Sequence, residues 1–400
     1  MTARPTYETL RARYPTFIYE RYAYTEEGPA NLDCSFRFRA GQHTFEPRLR
    51  IVFRGSRRRA VPREVLDNLV FHLGLAEVPS YWKATCSPAV EVRAGALDAD
   101  QVAFWRWLLT DGMGEFHYRN RTTFTDPDFV RIVTSRARPH ARFDDVLEGG
   151  HVVPFGGGKD SLVSLDLLTR HGEAARALVV NPPPSSEAAL EIAGAGCVVV
   201  ERRIDPRLVA LNEAGYLNGH TPFGAVVGFA SAAVAVMLGK RYVTLSNEAS
   251  SDYATVRYRG RTINHQAGKS SALEEALHRY LARHVARDLH YFSLLRGHGE
   301  LSIAQRFAEL TGYHEVARSC NRGRKTDTAC GRCAKCLSTF IVLAPFMDRG
   351  VLARLSGGDL LASDTCEALL PSLLGAEGHE PPFECVATPD EIRAALDLLG

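Results

Sequence analysis

The chain has 400 residues, 45% hydrophobic and 24% charged, with 48 Lys and Arg against 46 Asp and Glu. That length exceeds one ordinary core and implies two or three domains, and the composition excludes a disordered or fibrous chain. A formal charge of +2 offers no general polyanion-binding surface, so bulk nucleic-acid binding is not expected.

The opening stretch, MTARPTYETLRARYP, lacks the apolar core of a secretory signal. No apolar run approaches the roughly 18 to 20 residues of a membrane span, so the expectation is a cytoplasmic protein without a membrane partner. FIYERYAYT, CSFRFRAG and HTFEPRLRIVFRG then alternate apolar with polar residues, the period of half-buried antiparallel strands. Two helical patterns follow, REVLDNLVFHLGLAEV and DADQVAFWRWLLTDGM, the second with Asp98 or Asp100 near its start as a cap. Residues 1–147 therefore read as a separate N-terminal α+β domain, ended by a polar linker with Pro and Gly at 138–150.

From residue 151 the rhythm becomes strand and helix in turn: HVVPF, SLVSLDLLTRHG, RALVVNP, SEAALEIAGAG, CVVVERRI. A short, small-residue-rich apolar stretch at 225–239 reads as a helix buried against a sheet and leads into the strand RYVTLSN. Residues 148–298 thus predict an α/β domain with a doubly wound parallel sheet, and 299–400 a C-terminal helical region holding a cysteine cluster. Ligands of such sheets sit beyond the carboxyl ends of the strands. Three stretches should lie there: FGGGKDS, NPPP at 181–184, and SNEASSD at 246–252.

In FGGGKDS, glycines let backbone N–H groups approach an anion, the following helix presents its positive end, and Lys159 adds a mobile cation. A tight turn without a ligand has the same local pattern. The spacing fits neither a Walker A loop nor the dinucleotide fingerprint. It resembles the S-G-G-x-D-S loop of the ATP pyrophosphatases: Gly157, Gly158, Asp160 and Ser161 match, with Gly156 where that family usually has Ser. In that reading Asp160 holds Mg²⁺, while Ser161 and the amides of Gly156, Gly157, Gly158 and Lys159 hold the phosphates of ATP. Asn181 and Asn247, at the other two strand ends, join them as nucleotide-binding candidates.

Cys320, Cys330, Cys333 and Cys336 follow a C-x9-C-x2-C-x2-C pattern. Two-residue gaps let thiolates turn back on one metal, and four complete a structural zinc shell; an iron–sulfur cluster uses the same ligands, and four reduced thiols use none. Between loop and cluster, residues 246–280 are dense in polar groups. Asn247, Glu248 and Asp252 follow a sheet strand, and Asn264, His265 and Lys269 come together in NHQAGK. His265, set among polar neighbours, is a better general-base candidate than the histidines scattered along the next helix.

Taken in order, FGGGKDS, SNEASSDY, INHQAGKS, CGRCAKC and HEPPFECV resemble the UDP-N-acetylmuramoyl-L-alanyl-L-glutamate epimerase (MurL) family of peptidoglycan precursor synthesis. The resemblance implies that ATP and Mg²⁺ activate the terminal L-Glu of UDP-MurNAc-L-Ala-L-Glu as an acyl-adenylate. Pyrophosphate leaves, the carbon is inverted to D-Glu, and AMP is released. It further implies charge stabilisation by Lys159 and Asp160-bound Mg²⁺, proton transfer by His265 and Lys269, with Glu248 and Asp252 in reserve and Cys385 behind them, and a UDP-sugar site in the N-terminal domain. The loop and cluster also resemble enzymes that make a deazaguanine nitrile, or that thiolate tRNA. A zinc-stabilised nucleotide-binding module stands outside catalysis altogether.

Overall fold

The computed structural model describes residues 5–28, 30–135 and 139–400. Residues 136–138, the last of which begins the expected linker, lie outside the described residues. The main sheet contains β1 (Thr16–Glu27), β2 (Asn31–Ala40), β3 (His43–Phe45), β4 (Arg48–Phe53), β5 (Ala89–Val92), β6 (Arg131–Thr134), β7 (Glu148–Pro154), β8 (Ala175–Val180), β9 (Cys197–Arg203), β10 (Lys240–Leu245) and β13 (His290–Ser293). A separate hairpin pairs β11 (Val256–Tyr258) with β12 (Arg261–Ile263). The strand order is β13-β10-β7-β8-β9-β4-β2-β1-β5-β6, with β3 beside β2.

The two halves of this sheet differ as their sequences do. In β2, residues Leu32, Cys34, Phe36, Phe38 and Ala40 are buried and alternate with partly exposed neighbours, so one face packs and the other meets solvent. In β7, β8 and β9, the runs Val152–Val153, Ala177–Val179 and Val198–Val200 are buried without alternation, because helices cover both faces of a parallel sheet. The β7–β8, β8–β9, β7–β10 and β10–β13 pairs are parallel. The sheet is therefore mixed, with the expected parallel portion in its second half.

The junction is the antiparallel pairing of β4 with β9, where Ile51 faces Val200 and Val52 faces Val199. Phe36, Ile51, Val198, Val200 and the helix Phe223–Leu238 also belong to one hydrophobic core. Residues on both sides of the division expected at 147 thus share a sheet and a core. On the opposite face, Leu162, Val163 and Leu165 of the helix Lys159–Arg170 pack with Phe307, Leu337, Phe340 and Ile341 of the C-terminal helices.

After β7 the chain moves to β8 and β9 on one side, then crosses back through the helix Phe223–Leu238 to β10 on the other. That reversal opens a crevice at the carboxyl ends of β7 and β10, where open α/β sheets take ligands. The crossing helix is apolar on nearly every side because it is buried, and it ends where Gly239 turns left-handed at φ 71°. Among the described residues, no helix is long and apolar enough to cross a membrane.

Candidate active site

A cavity of about 380 Å³ occupies this crevice, and Gly156, Gly158, Asp160, Ser161, Asn247, His265, Lys269 and Cys385 all line it. The glycine turn forms one wall. Gly158 caps the helix Lys159–Arg170 without a side-chain bond, which leaves first-turn N–H groups for a ligand. Gly157 sits at φ 77°, and a Cβ there would lie 2.4 Å from Ser186 Oγ; glycine is required by both conformation and space. Its carbonyl accepts from Arg318 N at 2.9 Å, which ties the turn to the segment leading into the cysteine loop. A Cβ at Gly156 would meet nothing within 4 Å. Ser161 Oγ donates to Gly158 O at 2.9 Å.

The expectation of Lys159 as a mobile cation meets a different geometry. Its side chain is buried and its Nζ pairs with both Asp160 and Glu300. Burial opposes its charge, but Asp160, Glu300 and Glu248 keep it protonated. Asp160 lines the cavity; burial disfavours its charge, yet Lys159 and Lys269 hold the carboxyl below its ordinary range. Glu300 is pushed up to about 7, chiefly by burial. Lys269 is held protonated first by Glu248, whose own Oε2 is buried without a hydrogen-bond partner among the described residues.

The other wall is built from distant parts of the chain. Glu115, on the helix Gly114–Arg119, accepts at Oε2 from His265 Nδ1 at 2.6 Å and at Oε1 from Arg119 Nε at 2.6 Å. Burial works against the charge of Glu115, but the bonds from His265 and Arg119 outweigh it and lower its pKa. His265 is raised to about 9: burial alone would lower it, whereas hydrogen bonds to Cys385 and Glu115 favour the imidazolium. Cys385 is lowered to about 6, since the charges of Lys269 and Lys335 and the His265 bond overcome its burial. His220 packs with its ring tilted 48° against His265 at 4.9 Å and falls to about 4 through burial and the His265 charge. One donor atom each of Glu115, His220 and His265 lie within 4.8 Å of one another, but both Glu115 oxygens are already committed, so the group reads as an ion-paired cluster.

Of the remaining sequence candidates, Asn247 lines the cavity and Glu248 sits buried behind it. Asn181 is exposed; its side chain bonds both the N–H and the carbonyl of Arg202, and its φ of 46° turns the chain at the end of β8. Pro183 reaches the cavity instead. Asp252 Oδ1 accepts from Ser271 N at 2.8 Å, at the start of the helix Ser271–His284. Asn264 is spent on its own turn, accepting from Gln266 N and donating to Ser251 O.

The four cysteines converge. Their sulfurs lie within 4.8 Å of one another, with Cys330 and Cys336 at 3.9 Å; four ligands at about 2.3 Å from a tetrahedral zinc are about 3.8 Å apart. They could hold a zinc ion. Amides of Gly323 and Cys336 donate to Cys320 and Cys333 sulfur, the bonds that favour thiolate over thiol. The loop they close lies over the crevice: Arg324 donates to Val180 O at 2.8 Å, Asp327 accepts from Ser185 N at 2.7 Å, and Cys320, Asn321 and Gly323 line the cavity.

Sequence reasoning missed Glu115, His220, Glu300 and Gln266 and undervalued Cys385. Glu115, His220 and Glu300 stand in stretches without motif spacing, whereas Gln266 sits within NHQAGK and Cys385 within HEPPFECV. The one available signal was Glu115 with Arg119 at i+4, a pattern that decorates many exposed helices.

Comparison with known proteins adds to this geometry. Residues 8–294 match the MurL N-terminal domain, 316–400 the MurL C-terminal domain, and 281–349 a family of unknown function. The chain is 38% identical over 326 residues to a UDP-N-acetyl-alpha-D-muramoyl-L-alanyl-L-glutamate epimerase of Salinispora tropica, covering 80% of this chain and 70% of the relative. The correspondingly named protein of a Micromonospora species is 37% identical, covering 80% and 72%. That of Xanthomonas oryzae pv. oryzae is 34% identical over the same shares.

Proposed function

The chain belongs to the MurL family, and we propose that it inverts the terminal L-Glu of UDP-MurNAc-L-Ala-L-Glu by way of an acyl-adenylate, consuming ATP and releasing pyrophosphate and AMP. The observation that carries the reading is a single cavity in which an uncapped glycine turn with Asp160 faces Lys269, His265 and Cys385. An anion-binding turn and proton-transfer groups are the two things this chemistry needs in one place.

A Cα proton beside a carboxylate is hard to remove, because the carbanion would bear a second negative charge. Once the carboxylate oxygen has attacked the α-phosphorus and pyrophosphate has left, that carbonyl is neutral and can delocalise the developing charge. Deprotonation, reprotonation from the opposite face and attack by water at the acyl carbon then yield D-Glu and AMP. Asp160, kept ionised by Lys159 and Lys269, suits a Mg²⁺ ion, which when bound would neutralise phosphate charge. The amides at the start of the helix, left without a side-chain cap at Gly158, would hold the phosphates, and Lys159 serves by balancing Asp160. Positioning and charge stabilisation supply most of the rate. We further propose the ATP-pyrophosphatase type of nucleotide site for residues 148–298, and the N-terminal region as the grip on the UDP-sugar end.

The test is incubation with UDP-MurNAc-L-Ala-L-Glu, ATP and Mg²⁺ in deuterated water, following pyrophosphate and deuterium at the glutamate Cα. Both should arise together. Turnover with a deazaguanine acid or tRNA, and none with the muramoyl dipeptide, would transfer the protein to base modification.

A further inference from the structure

Inversion needs a base that is unprotonated at neutral pH and reaches the cavity. His265 and Lys269, the bases expected from sequence, are each held protonated by carboxylate and thiolate neighbours, so neither can accept a proton in the resting state. Cys385 also lines the cavity, in the segment that precedes the final helix. Lys269 and His265, from the NHQAGK stretch, and Lys335, from the helix Ala334–Leu343, line the cavity with it, and His265 is oriented in turn by Glu115 at 2.6 Å. Carboxylate and imidazole are thus hydrogen-bonded, and the thiol lines the same cavity as the imidazole, a grouping of residue types that activates a sulfur.

We propose that Cys385 is the base that removes the Cα proton of the activated glutamate, with His265 and Glu115 positioning it. The assignment rests on the epimerase reading above. Two further features point the same way. Gln266, only 6% exposed, lines the cavity beside His265 and its Oε1 has no hydrogen-bond partner among the described residues, as expected of a polar group waiting for a ligand. Cys34 and Cys86, buried away from the cavity, are instead raised by burial.

In the step itself the Cα–H bond breaks, its proton passes to Cys385 Sγ, and its electron pair moves into the enolate of the acyl-adenylate. A new Cα–H bond forms on the other face with a proton from Lys269 Nζ, the protonated amine of the same cavity. Thiol and amine then exchange a proton through solvent, restoring thiolate and ammonium. No oxidant or reductant is needed.

The experiment compares wild type, Cys385→Ala and Cys385→Ser in deuterated water with the muramoyl dipeptide, ATP and Mg²⁺. Both variants should release pyrophosphate within about threefold of wild type while Cα deuteration falls at least about 100-fold, the contribution of a positioned base. Glu115→Gln should keep pyrophosphate release and move the acid limb of the epimerisation pH profile upward, because His265 then supports the thiolate less. Epimerisation at wild-type rate in Cys385→Ala overturns the proposal, as does loss of pyrophosphate release in folded variants, which would make Cys385 a binding residue. Should the variants not fold, alkylation of wild type decides. Modification at Cys385, mapped by mass, should abolish deuteration and spare pyrophosphate release; modified enzyme that still inverts its substrate overturns the assignment. Wild type that does neither reaction is the failure of the epimerase reading itself.

Discussion

Gly157→Ala tests whether the turn is built for close backbone approach. Its φ of 77° lies in the left-handed region, which costs an L-residue about 1–2 kcal/mol. The new Cβ would stand 2.4 Å from Ser186 Oγ, a buried hydroxyl without a partner among the described residues. That hydroxyl can swing aside without breaking a hydrogen bond, at about 0.5–1.5 kcal/mol if it leaves its rotamer. The sum is about 1.5–3.5 kcal/mol. Gly156→Ala is the control: open space and no left-handed φ predict no native-state cost and a gain of about 0.4–1 kcal/mol from a less flexible unfolded chain. Urea midpoints at equal slope measure the difference, and the KM for ATP in pyrophosphate release should rise only in Gly157→Ala. Adding Ser186→Ala should relieve the contact and leave the φ cost. Equal midpoints for the two alanine variants, or full recovery in the double variant, would refute the reasoning.

Other perturbations reach the supports of the site. Gly224→Ala would set a Cβ 1.8 Å from Gly268 O, a backbone carbonyl with no side-chain torsion to relieve the contact. A loss of about 3 kcal/mol or more in unfolding free energy is expected, against a smaller effect for Gly228→Ala, whose neighbours are the side chains of Leu277 and Tyr291. Metal analysis should find one zinc per chain; Cys330→Ser should abolish it and speed hydrogen exchange through 318–328. His72 is buried, donates from Nδ1 to Asn68 O, accepts at Nε2 from Tyr280 OH, and is pushed down to about 3 by burial. Its unfolded form takes a proton near pH 6.5 and its native form only near 3, so the unfolded state binds more protons between them. Stability should be full above pH 6.5 and fall as pH drops through that window, by about 1.4 kcal/mol per pH unit for this group, and His72→Gln should flatten the slope measured by urea titration.

What the sequence determined alone is local. Three glycines before Lys159, cysteines two residues apart, alternation in β2 and unbroken apolar runs in β7 to β9 each report a conformation or ligand set decided within a few residues, because φ, side-chain period and ligand reach are short-range properties. The parallel order, the three strand-end stretches and the density of polar groups at 246–269 were legible for the same reason. Tertiary structure decided the rest. Pairing of β4 with β9 joined the N-terminal strands to the sheet, a choice among edges that no strand announces. Glu115, His265 and Cys385 met across sequence separations of 150 and 120 through sheet order and helix docking. Charge state followed from that meeting: burial raises a lone thiol, as at Cys34, while cations converging from the NHQAGK stretch and the helix Ala334–Leu343 lower the same group at Cys385. Lys159, read as a free cation, became the buried partner of Asp160 and Glu300, because the helix Glu300–Ala308 docks against the helix that Lys159 begins.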